Sequence, residues 1–289
     1  MPLTLIRKYS ELVVFSHSIF ALPFALAAFV LASRGSGEST PIPITPMTSI
    51  LVILSIIFAR MAAMAFNRLA DYKFDALNPR TENRNLPTGS LTKTSVSIFV
   101  LLTSALFLLC AALLGPHCLK LAPFLLLILF GYSFTKRFTH YSHLVLGIAL
   151  ALAPGGAWWT LRPEISVTPL LLMATVTSWV AGFDILYSCQ DIDVDRKLLL
   201  HSVPARYGIK KSLLISTLLH LVASIGLILV GFNMQLANAY YYGLSPLIAF
   251  LLGQHFLVSS HDLSKINRAF FTFNGMVSIG YFLIVLLAS

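Results

Sequence analysis

Charged residues are scarce in this chain: Lys, Arg, Asp and Glu make up 11% of its 289 residues, against about 25% in an ordinary soluble domain. Hydrophobic residues make up 57%, and the mean hydropathy is +0.83. This shortage of charge excludes a soluble globular enzyme, a disordered chain and a free nucleic-acid binder. Because a lipid bilayer accommodates so much apolar surface, the sequence predicts an all-α, polytopic membrane protein with no nucleic-acid partner.

Cysteine is also rare. The three cysteines, Cys110, Cys118 and Cys189, are an odd number, and no C-x-x-C or His-rich spacing accompanies them. The sequence therefore indicates neither a disulfide framework nor a zinc site. The polar stretch from Met1 to Glu11 lacks a small-residue cleavage site before the first apolar run. We interpret that run as a retained helix rather than a removed signal peptide.

Long apolar runs are abundant. A transmembrane helix needs about 20 mostly apolar residues, and nine stretches approach that length: Leu12–Ala32, Met47–Phe66, Thr94–Leu114, Leu119–Phe134, Leu144–Leu161, Val167–Tyr187, Ser212–Phe232, Ala239–Val258 and Phe270–Leu287. We predict nine transmembrane helices in a single domain, residues 1–289. The Gly-, Ser- and Pro-rich segment Gly35–Pro46 is expected to be an external loop.

The distribution of positive charge predicts the orientation in the membrane. Most of the 20 Lys and Arg residues fall before the first span or in the loops that follow the even-numbered spans. Arg60 lies inside a span, and only Arg34, Lys120 and Arg162 fall on the other side. Since positive charge marks cytoplasmic loops, the N-terminus is expected in the cytoplasm.

The first of two polar cytoplasmic segments carries a stripe of Asn67, Asp71 and Asp75. Residues four apart lie on one face of a helix, so these three side chains share a face. Arg60 lies two turns earlier on nearly the same face. An ionisable group inside a span is costly and therefore indicates a functional role.

The second segment, near the other end of the chain, repeats this pattern. Asp184, Tyr187, Asp191 and Asp195 are predicted to share one helix face, while Asp193 points elsewhere. Asp184 lies inside the predicted span, where a short carboxylate cannot reach the membrane surface. The two segments together hold more than half of the 11 acidic residues of the chain.

Basic side chains accompany both acidic segments. Arg80 and Arg84 follow the first one, and Tyr132 precedes Lys136 and Arg137 at the end of the fourth span. Repelling carboxylates need compensation, and Mg²⁺ typically binds one or two carboxylates together with substrate phosphates. Basic residues contact phosphate oxygens, so the pattern predicts a Mg²⁺-dependent diphosphate site at the membrane surface.

These residues resemble the UbiA superfamily of intramembrane aromatic prenyltransferases over nearly the whole chain. The motifs that carry the resemblance are N-R-L-A-D-Y-K-F-D (67–75), N-R-N-L-P-T-G (83–89), Y-S-F-T-K-R-F-T (132–139) and D-I-L-Y-S-C-Q-D-I-D-V-D (184–195). Two more, H-S-I-F-A-L-P-F (17–24) and S-V-P-A-R-Y-G (202–208), resemble the branch that acts on 4-hydroxybenzoate and related rings.

The resemblance implies nine helices around a central cavity capped by two Asp-rich cytoplasmic loops. It also implies two Mg²⁺ ions that bridge the substrate diphosphate to four carboxylates: Asp71, Asp75, Asp191 and Asp195. Asn67 would contact metal or diphosphate, Lys136 the diphosphate, and Arg60 the aromatic acid. Because the first motif commonly begins Asn-Asp, Arg68 departs from the pattern and receives no metal role.

The implied activity is transfer of a polyprenyl group from polyprenyl diphosphate to 4-hydroxybenzoate in a bacterial inner membrane, for quinone synthesis. Diphosphate or Asp184 would accept the proton that the ring loses. The predicted catalytic residues are Asp71, Asp75, Asp191, Asp195, Lys136 and Asp184. The predicted substrate-binding residues are Arg60, Asn67, Arg80, Arg84, Tyr132, Arg137 and Tyr187.

Three alternatives stay open. A dihydroxynaphthoate acceptor, in menaquinone synthesis, also carries a carboxylate. A secondary transporter would explain the prolines that interrupt spans, but its site would lie near the membrane midplane, whereas these acids gather at one surface. A phosphatidyltransferase also uses Mg²⁺ and Asp-rich helix ends, but normally with one acidic motif.

Overall fold

A computed structural model describes residues 2–14, 18–35 and 40–288. Among these residues the regular structure is helical throughout, without a β-strand, which confirms the all-α prediction. The helices are α1 Pro2–Leu12, α2 Ser18–Arg34, α3 Pro46–Asp75, α4 Lys93–Leu114, α5 Pro116–Thr135, α6 Ser142–Leu161, α7 Val167–Ser188, α8 Ile192–Lys197, α9 Val203–Asn233, α10 Asn238–Gly253, α11 Ile266–Arg268 and α12 Asn274–Ala288. Short 3₁₀ turns occur at Cys189–Asp191 and Gln254–Phe256, and a π-helix occurs at Ala269–Phe273. His17 of the H-S-I-F-A-L-P-F motif and residues 36–39 of the predicted external loop lie outside the described residues.

Seven helical segments of the described chain are long and apolar enough to cross a membrane: Pro46–Asp75, Lys93–Leu114, Pro116–Thr135, Ser142–Leu161, Val167–Lys197, Val203–Asn233 and Ile266–Ala288. The other two predicted spans correspond to shorter helices, α2 with 17 residues and α10 with 16 residues. The multi-pass membrane architecture is therefore confirmed, and the count of nine stays a prediction.

Three helix boundaries differ from the predicted spans for local reasons. Helix α1 ends at Leu12 because Val14 has φ of 43°, which a right-handed helix cannot accommodate. Helix α5 begins at Pro116, because proline is tolerated in the first turn of a helix. Helix α9 begins at Val203 and bends at Gly208, whose φ of 77° and ψ of 166° lie in a region essentially restricted to glycine.

The described chain forms two compact units, Met1–Ser18 with Pro46–Phe134 and Ile19–Thr45 with Thr135–Ser289. In the first unit α3 packs along α4, and α1 contacts α3. The ring of Tyr9 in α1 stacks on Phe99 at 4.8 Å between centroids. A buried cluster joins these elements: Leu12, Val13, Ala65, Leu86, Leu91, Val96 and Val100.

In the second unit α7 packs against both α6 and α9. Gly147 permits the approach of α6 to α7, since a Cβ added there would overlap the carbonyl oxygen of Thr177. Gly226 of α9 similarly faces the hydroxyl of Thr175. Small residues at such crossings let helix backbones meet closely, as is common for helices in membranes.

Two arginines outside the predominantly basic loops have a structural role. Arg162 Nε donates to the carbonyl oxygen of Ala32 at 2.6 Å, and Arg34 Nη1 donates to that of Ala288 at 2.8 Å. These carbonyl oxygens belong to the last turns of α2 and α12. Carbonyl groups in the last turn of a helix have no hydrogen-bond donor within that helix. A cation also interacts favourably with the negative end of the helix dipole.

We predict that Gly147→Ala destabilises the protein by about 1–3 kcal/mol, because the added methyl group overpacks the contact of α6 with α7. Thermal unfolding in detergent should show a lower Tm. Gly156→Ala, at a position of α6 with open space around it, is the matched control and should not lower Tm. Equal effects of the two changes would contradict this account of the contact.

Candidate active site

The first acidic group lies at the end of α3. Asp71 and Asp75 are 3% and 6% exposed, so both carboxylates are largely removed from water. Asn67 Nδ2 donates to Asp71 Oδ2 at 3.2 Å, as expected for residues four apart on one helix face. The predicted stripe of Asn67, Asp71 and Asp75 is therefore present.

The loop after α3 folds back onto Asp75. Arg84 Nη1 lies 2.7 Å from Asp75 Oδ1, and the hydroxyl of Thr81 donates to the Asp75 carbonyl oxygen at 3.0 Å. The other carboxylate oxygen, Oδ2, is buried and has no hydrogen-bond partner in the described part of the chain. The predicted proximity of Arg84 to the acids is confirmed. Arg80 is exposed, and its backbone N–H donates to Asn78 Oδ1 at 2.9 Å.

A divalent cation fits this group. A buried carboxylate oxygen without a partner is costly, and carboxylate oxygen is the ligand type that Mg²⁺ prefers. Within the residues described, no cluster of three or more His, Cys, Asp or Glu side chains could hold a metal. An ion bound here would therefore draw further ligands from water or substrate phosphate, as is usual for Mg²⁺.

Two arginines of α3 bind the end of α1. Arg60 Nη1 and Nη2 donate to the carbonyl oxygens of Val13 and Val14 at 3.2 and 3.1 Å. Arg68 Nε donates to the carbonyl oxygen of Leu12 at 3.3 Å. The sequence interpretation missed these contacts because main-chain acceptors leave no residue pattern. The predicted substrate role of Arg60 stays a prediction.

Arg68 also lies near the acidic group. It is 8% exposed, and its guanidinium is close enough to interact electrostatically with Asp71, Asp75, Arg84 and Tyr132. Tyr132, which is half-buried, interacts in the same way with Arg60. Arg68 therefore brings a positive charge to the position where the family motif commonly has an acid.

The second acidic group includes a 3₁₀ turn. Helix α7 ends at Ser188, and a 3₁₀ turn, Cys189–Asp191, precedes α8. The side chains of Ser188 and Gln190 donate to the carbonyl oxygens of Ile185 and Tyr187 at 2.9 Å each. Such local bonds compete with the helical pattern, and a 3₁₀ turn has three residues per turn rather than 3.6. The 3₁₀ turn therefore interrupts the regular spacing within Val167–Lys197, which is still one continuous helical segment. The single face expected for the stretch from Asp184 to Asp195 stays a prediction.

Lys136 joins this second group. Asp191, Lys136 and His143 interact electrostatically with Asp195, and the Ser202 hydroxyl lies near the same carboxylate. The backbone N–H of His201 donates to the Lys136 carbonyl oxygen at 2.7 Å. This bond ties the α5–α6 connection to the α8–α9 connection. Arg137 is half-buried and Asp193 is exposed.

His140 joins the α5–α6 connection to the first turn of α9. Arg206 Nη1 donates to His140 Nε2 at 2.7 Å. Desolvation, assisted by the charges of Arg206 and His201, lowers the pKa of His140. The imidazole is therefore neutral at pH 7 and can accept this bond.

Asp184 has a partner that the sequence does not indicate. His143 Nδ1 lies 2.6 Å from Asp184 Oδ2, and the backbone N–H of Val203 donates to His143 Nε2 at 3.3 Å. A carboxylate within a span implies a partner. However, a single histidine at the start of α6 has no spacing that identifies it.

An aromatic cluster adjoins the second group. The ring of Tyr187 lies 4.2 Å from that of Phe270, which is 5.3 Å from both Phe183 and Phe20. Phe270 belongs to the π-helix. Asn274 Nδ2 donates a hydrogen bond to the Phe270 carbonyl oxygen at 3.0 Å. These rings provide an apolar surface that can exclude water.

Comparison with known proteins shows what this fold and these groups belong to. Residues 21–276 match the UbiA prenyltransferase family. The chain is 30% identical over 231 residues to 4-hydroxybenzoate octaprenyltransferase of Vibrio parahaemolyticus, covering 79% of this chain and 81% of that relative.

Solved structures agree with the sequence match. The apo structure of a UbiA homologue from Aeropyrum pernix K1 superposes with a TM-score of 0.77 at 31% identity, covering 94% of this chain and 96% of that one. A UbiA homologue from Archaeoglobus fulgidus bound to GPP and Mg²⁺ superposes with a TM-score of 0.74 at 20% identity, covering 97% and 99%.

The fold and these matches define a multi-pass membrane enzyme of the prenyltransferase class. The chain belongs to the UbiA prenyltransferase family. The comparisons give no support to the transporter or phosphatidyltransferase alternatives.

We predict an energetic coupling between Arg84 and Asp75. Removing one partner of a buried ion pair costs about 3–5 kcal/mol. The side chain of Arg84 is 29% exposed, so Arg84→Met should cost less, about 1–3 kcal/mol. Thermal unfolding without divalent cations should show this loss.

In an Asp75→Asn background the same Arg84→Met change should cost much less, because no buried charge is left behind. The double-mutant cycle is its own control. Equal losses in both backgrounds would mean that the two side chains do not interact energetically.

Proposed function

We propose that this prenyltransferase transfers a polyprenyl group from polyprenyl diphosphate to 4-hydroxybenzoate in a Mg²⁺-dependent reaction of quinone synthesis. The observation that carries the proposal is the Asp75 carboxylate, which binds Arg84 through Oδ1 and buries a partnerless Oδ2. The relative named 4-hydroxybenzoate octaprenyltransferase supports the choice of acceptor.

Four carboxylates are proposed to hold the metal: Asp71, Asp75, Asp191 and Asp195. When bound, Mg²⁺ offsets the negative charge that develops on the diphosphate leaving group. The Archaeoglobus fulgidus homologue bound to GPP and Mg²⁺ supports this assignment through its shared fold. Each acidic group offers only two of these carboxylates, so a bound metal would need further ligands from the substrate.

Basic side chains are proposed to bind the diphosphate oxygens. Arg84 and Lys136 are half-buried, so their charges are less screened by water than those of fully exposed residues. Asn67 orients Asp71 through their hydrogen bond. Arg80 and Arg137 are proposed to contact the outer phosphate.

The acceptor ring is proposed to bind near Arg60, Tyr132 and Tyr187. The guanidinium of Arg60 has five N–H donors, and its Nη1 and Nη2 atoms each bind one backbone carbonyl oxygen. Its positive charge can also attract the carboxylate of 4-hydroxybenzoate. The ring carbon ortho to the phenol attacks the prenyl carbon as its C–O bond breaks. Asp184 then accepts the released proton. The aromatic rings beside Tyr187 protect the incipient allylic cation from water.

The bilayer is the remaining partner, since a polyprenyl tail is soluble in lipid. We propose that residues 1–289 act as one transmembrane domain in a bacterial inner membrane, with the N-terminus in the cytoplasm. Cysteine accessibility at Lys8 and Glu164, on opposite predicted sides, tests the orientation.

We predict that Asp75→Asn and Asp191→Asn each lower prenyl transfer at least a hundredfold, because each change removes a carboxylate charge that holds the metal-bound diphosphate. Membranes would be incubated with labelled prenyl diphosphate, Mg²⁺ and 4-hydroxybenzoate. Asp193→Asn is the matched control, an exposed aspartate of the same short helix as Asp195, and should retain activity. Wild-type activity in both test variants would refute the metal assignment.

The same assay identifies the acceptor. With equal concentrations of 4-hydroxybenzoate and a dihydroxynaphthoate, we expect prenylated 4-hydroxybenzoate as the main product. Predominant prenylation of the naphthoate would assign the enzyme to menaquinone synthesis instead. Omission of Mg²⁺ should abolish both products and leave prenyl diphosphate intact.

A further inference from the structure

We propose that His143 is a positioning residue: its imidazole donates from Nδ1 to Asp184 and accepts at Nε2 from the backbone of Val203, and so fixes the Asp184 carboxylate against the first turn of α9. The inference rests on the proposed function, in which Asp184 accepts the proton released during prenyl transfer. It assigns a role to a side chain that the family resemblance leaves without one.

The hydrogen bonds determine the tautomer. Val203 N lies 3.3 Å from His143 Nε2, and a backbone amide can only donate, so Nε2 must carry a lone pair. The imidazole proton is then on Nδ1, which lies 2.6 Å from Asp184 Oδ2. A short bond of this kind to an ionised carboxylate is charge-assisted, and such bonds are roughly twice as strong as neutral ones.

These bonds use both ring nitrogens of His143, whose side chain is 6% exposed. Asp184 is its hydrogen-bond partner. Asp195, which interacts electrostatically with Asp191 and Lys136, also interacts electrostatically with His143. His143 therefore donates one hydrogen bond through Nδ1 and accepts another through Nε2.

The bond to His143 fixes one oxygen of Asp184. Its side chain is 27% exposed, and its hydrogen bond to His143 uses Oδ2. With Oδ2 fixed, Oδ1 is presented in one direction. In the proposed reaction the ring carbon ortho to the phenol forms the C–C bond to the prenyl carbon, and the electron pair of the broken C–O bond leaves with diphosphate. The C–H proton that this ring carbon then loses passes to the Asp184 carboxylate, and the electron pair of that C–H bond restores the aromatic ring.

The histidine also connects Asp184 to the segment that supports Lys136. Val203 follows Ser202, the N-cap residue of α9, whose hydroxyl accepts a bond from Ala205 N at 3.2 Å. Two residues before Val203, the backbone of His201 binds the Lys136 carbonyl oxygen at 2.7 Å. A substitution of His143 could disturb this segment as well as Asp184. The test therefore includes a variant that keeps the hydrogen bond from Val203, so that the two effects can be separated.

Glutamine provides that variant. The side-chain amide introduced by His143→Gln can accept from Val203 N through Oε1 and donate to Asp184 through Nε2, but it cannot titrate. His143→Phe fills similar space and makes neither bond. His201→Gln is the matched control, because His201 is exposed and only its backbone binds Lys136.

We expect His143→Phe to lower kcat by about 10²-fold or more, the usual magnitude for general acid–base catalysis, with little change in KM for prenyl diphosphate. His143→Gln should keep kcat within about tenfold of wild type, and His201→Gln should match wild type. Asp184→Asn should be as impaired as His143→Phe, and combining the two should cost little more. Equal loss in His143→Gln and His143→Phe would overturn the positioning role, as would wild-type kcat in His143→Phe.

An NMR measurement on the wild-type protein depends neither on the folding of the variants nor on the proposed function. In ¹⁵N-histidine-labelled wild-type protein, His143 should show a protonated Nδ1 and an unprotonated Nε2 between pH 6 and pH 8. A doubly protonated ring, or the opposite tautomer, would overturn the inference. Failure of the wild-type chain to prenylate any aromatic acid would instead contradict the proposed function and leave this tautomer result standing on its own.

Discussion

The Asp75 carboxylate is the constraint on which the first acidic group depends. Moving an ionised carboxylate away from water costs several kcal/mol unless cations and donors compensate. Arg84 binds one oxygen at 2.7 Å, and Arg68 adds a second positive charge nearby. Oδ2 is still buried, and no described residue gives it a hydrogen bond. The protein alone thus compensates this charge only in part. This deficit supports the proposed binding of a divalent cation and a diphosphate here, and prenyl transfer from a diphosphate is a chemistry that would use both.

Backbone hydrogen bonds organise the second acidic group. Asp191 and Asp195 lie on a 3₁₀ turn and a six-residue helix, elements too short to be stable on their own. They are held because neighbouring connections bind one another, through His201 to the Lys136 carbonyl and through Val203 to His143. The positions of Lys136 and Asp184 therefore depend on main-chain groups of a distant stretch of sequence. The π-helix is held similarly, since Asn274 binds the Phe270 carbonyl oxygen and accepts from Trp179 Nε1 at 2.8 Å.

Sequence reasoning predicted the parts of this protein that follow from composition and period. Long apolar runs identified the helices, and four-residue spacing identified the stripe of Asn67, Asp71 and Asp75. It missed the contacts in which side chains bind main-chain groups: those of Arg60 and Arg68 with the end of α1, that of His143 with Val203, and those of Ser188 and Gln190 beside the 3₁₀ turn. A carbonyl oxygen is present at every residue, so no spacing marks the one that an arginine binds. Arg34 and Arg162 illustrate the same limit, since their cap contacts explain basic residues that the orientation rule leaves as exceptions.

The most direct test is an experimental structure of the protein in a bilayer mimic with Mn²⁺ in place of Mg²⁺ and a non-reactive prenyl thiodiphosphate. The account predicts anomalous peaks at about 2.0–2.3 Å from carboxylate oxygens of both acidic groups, including Asp75 Oδ2, with thiodiphosphate oxygens completing each coordination shell. Metal peaks confined to other residues, or a thiodiphosphate bound without metal and away from Asp75, would contradict it.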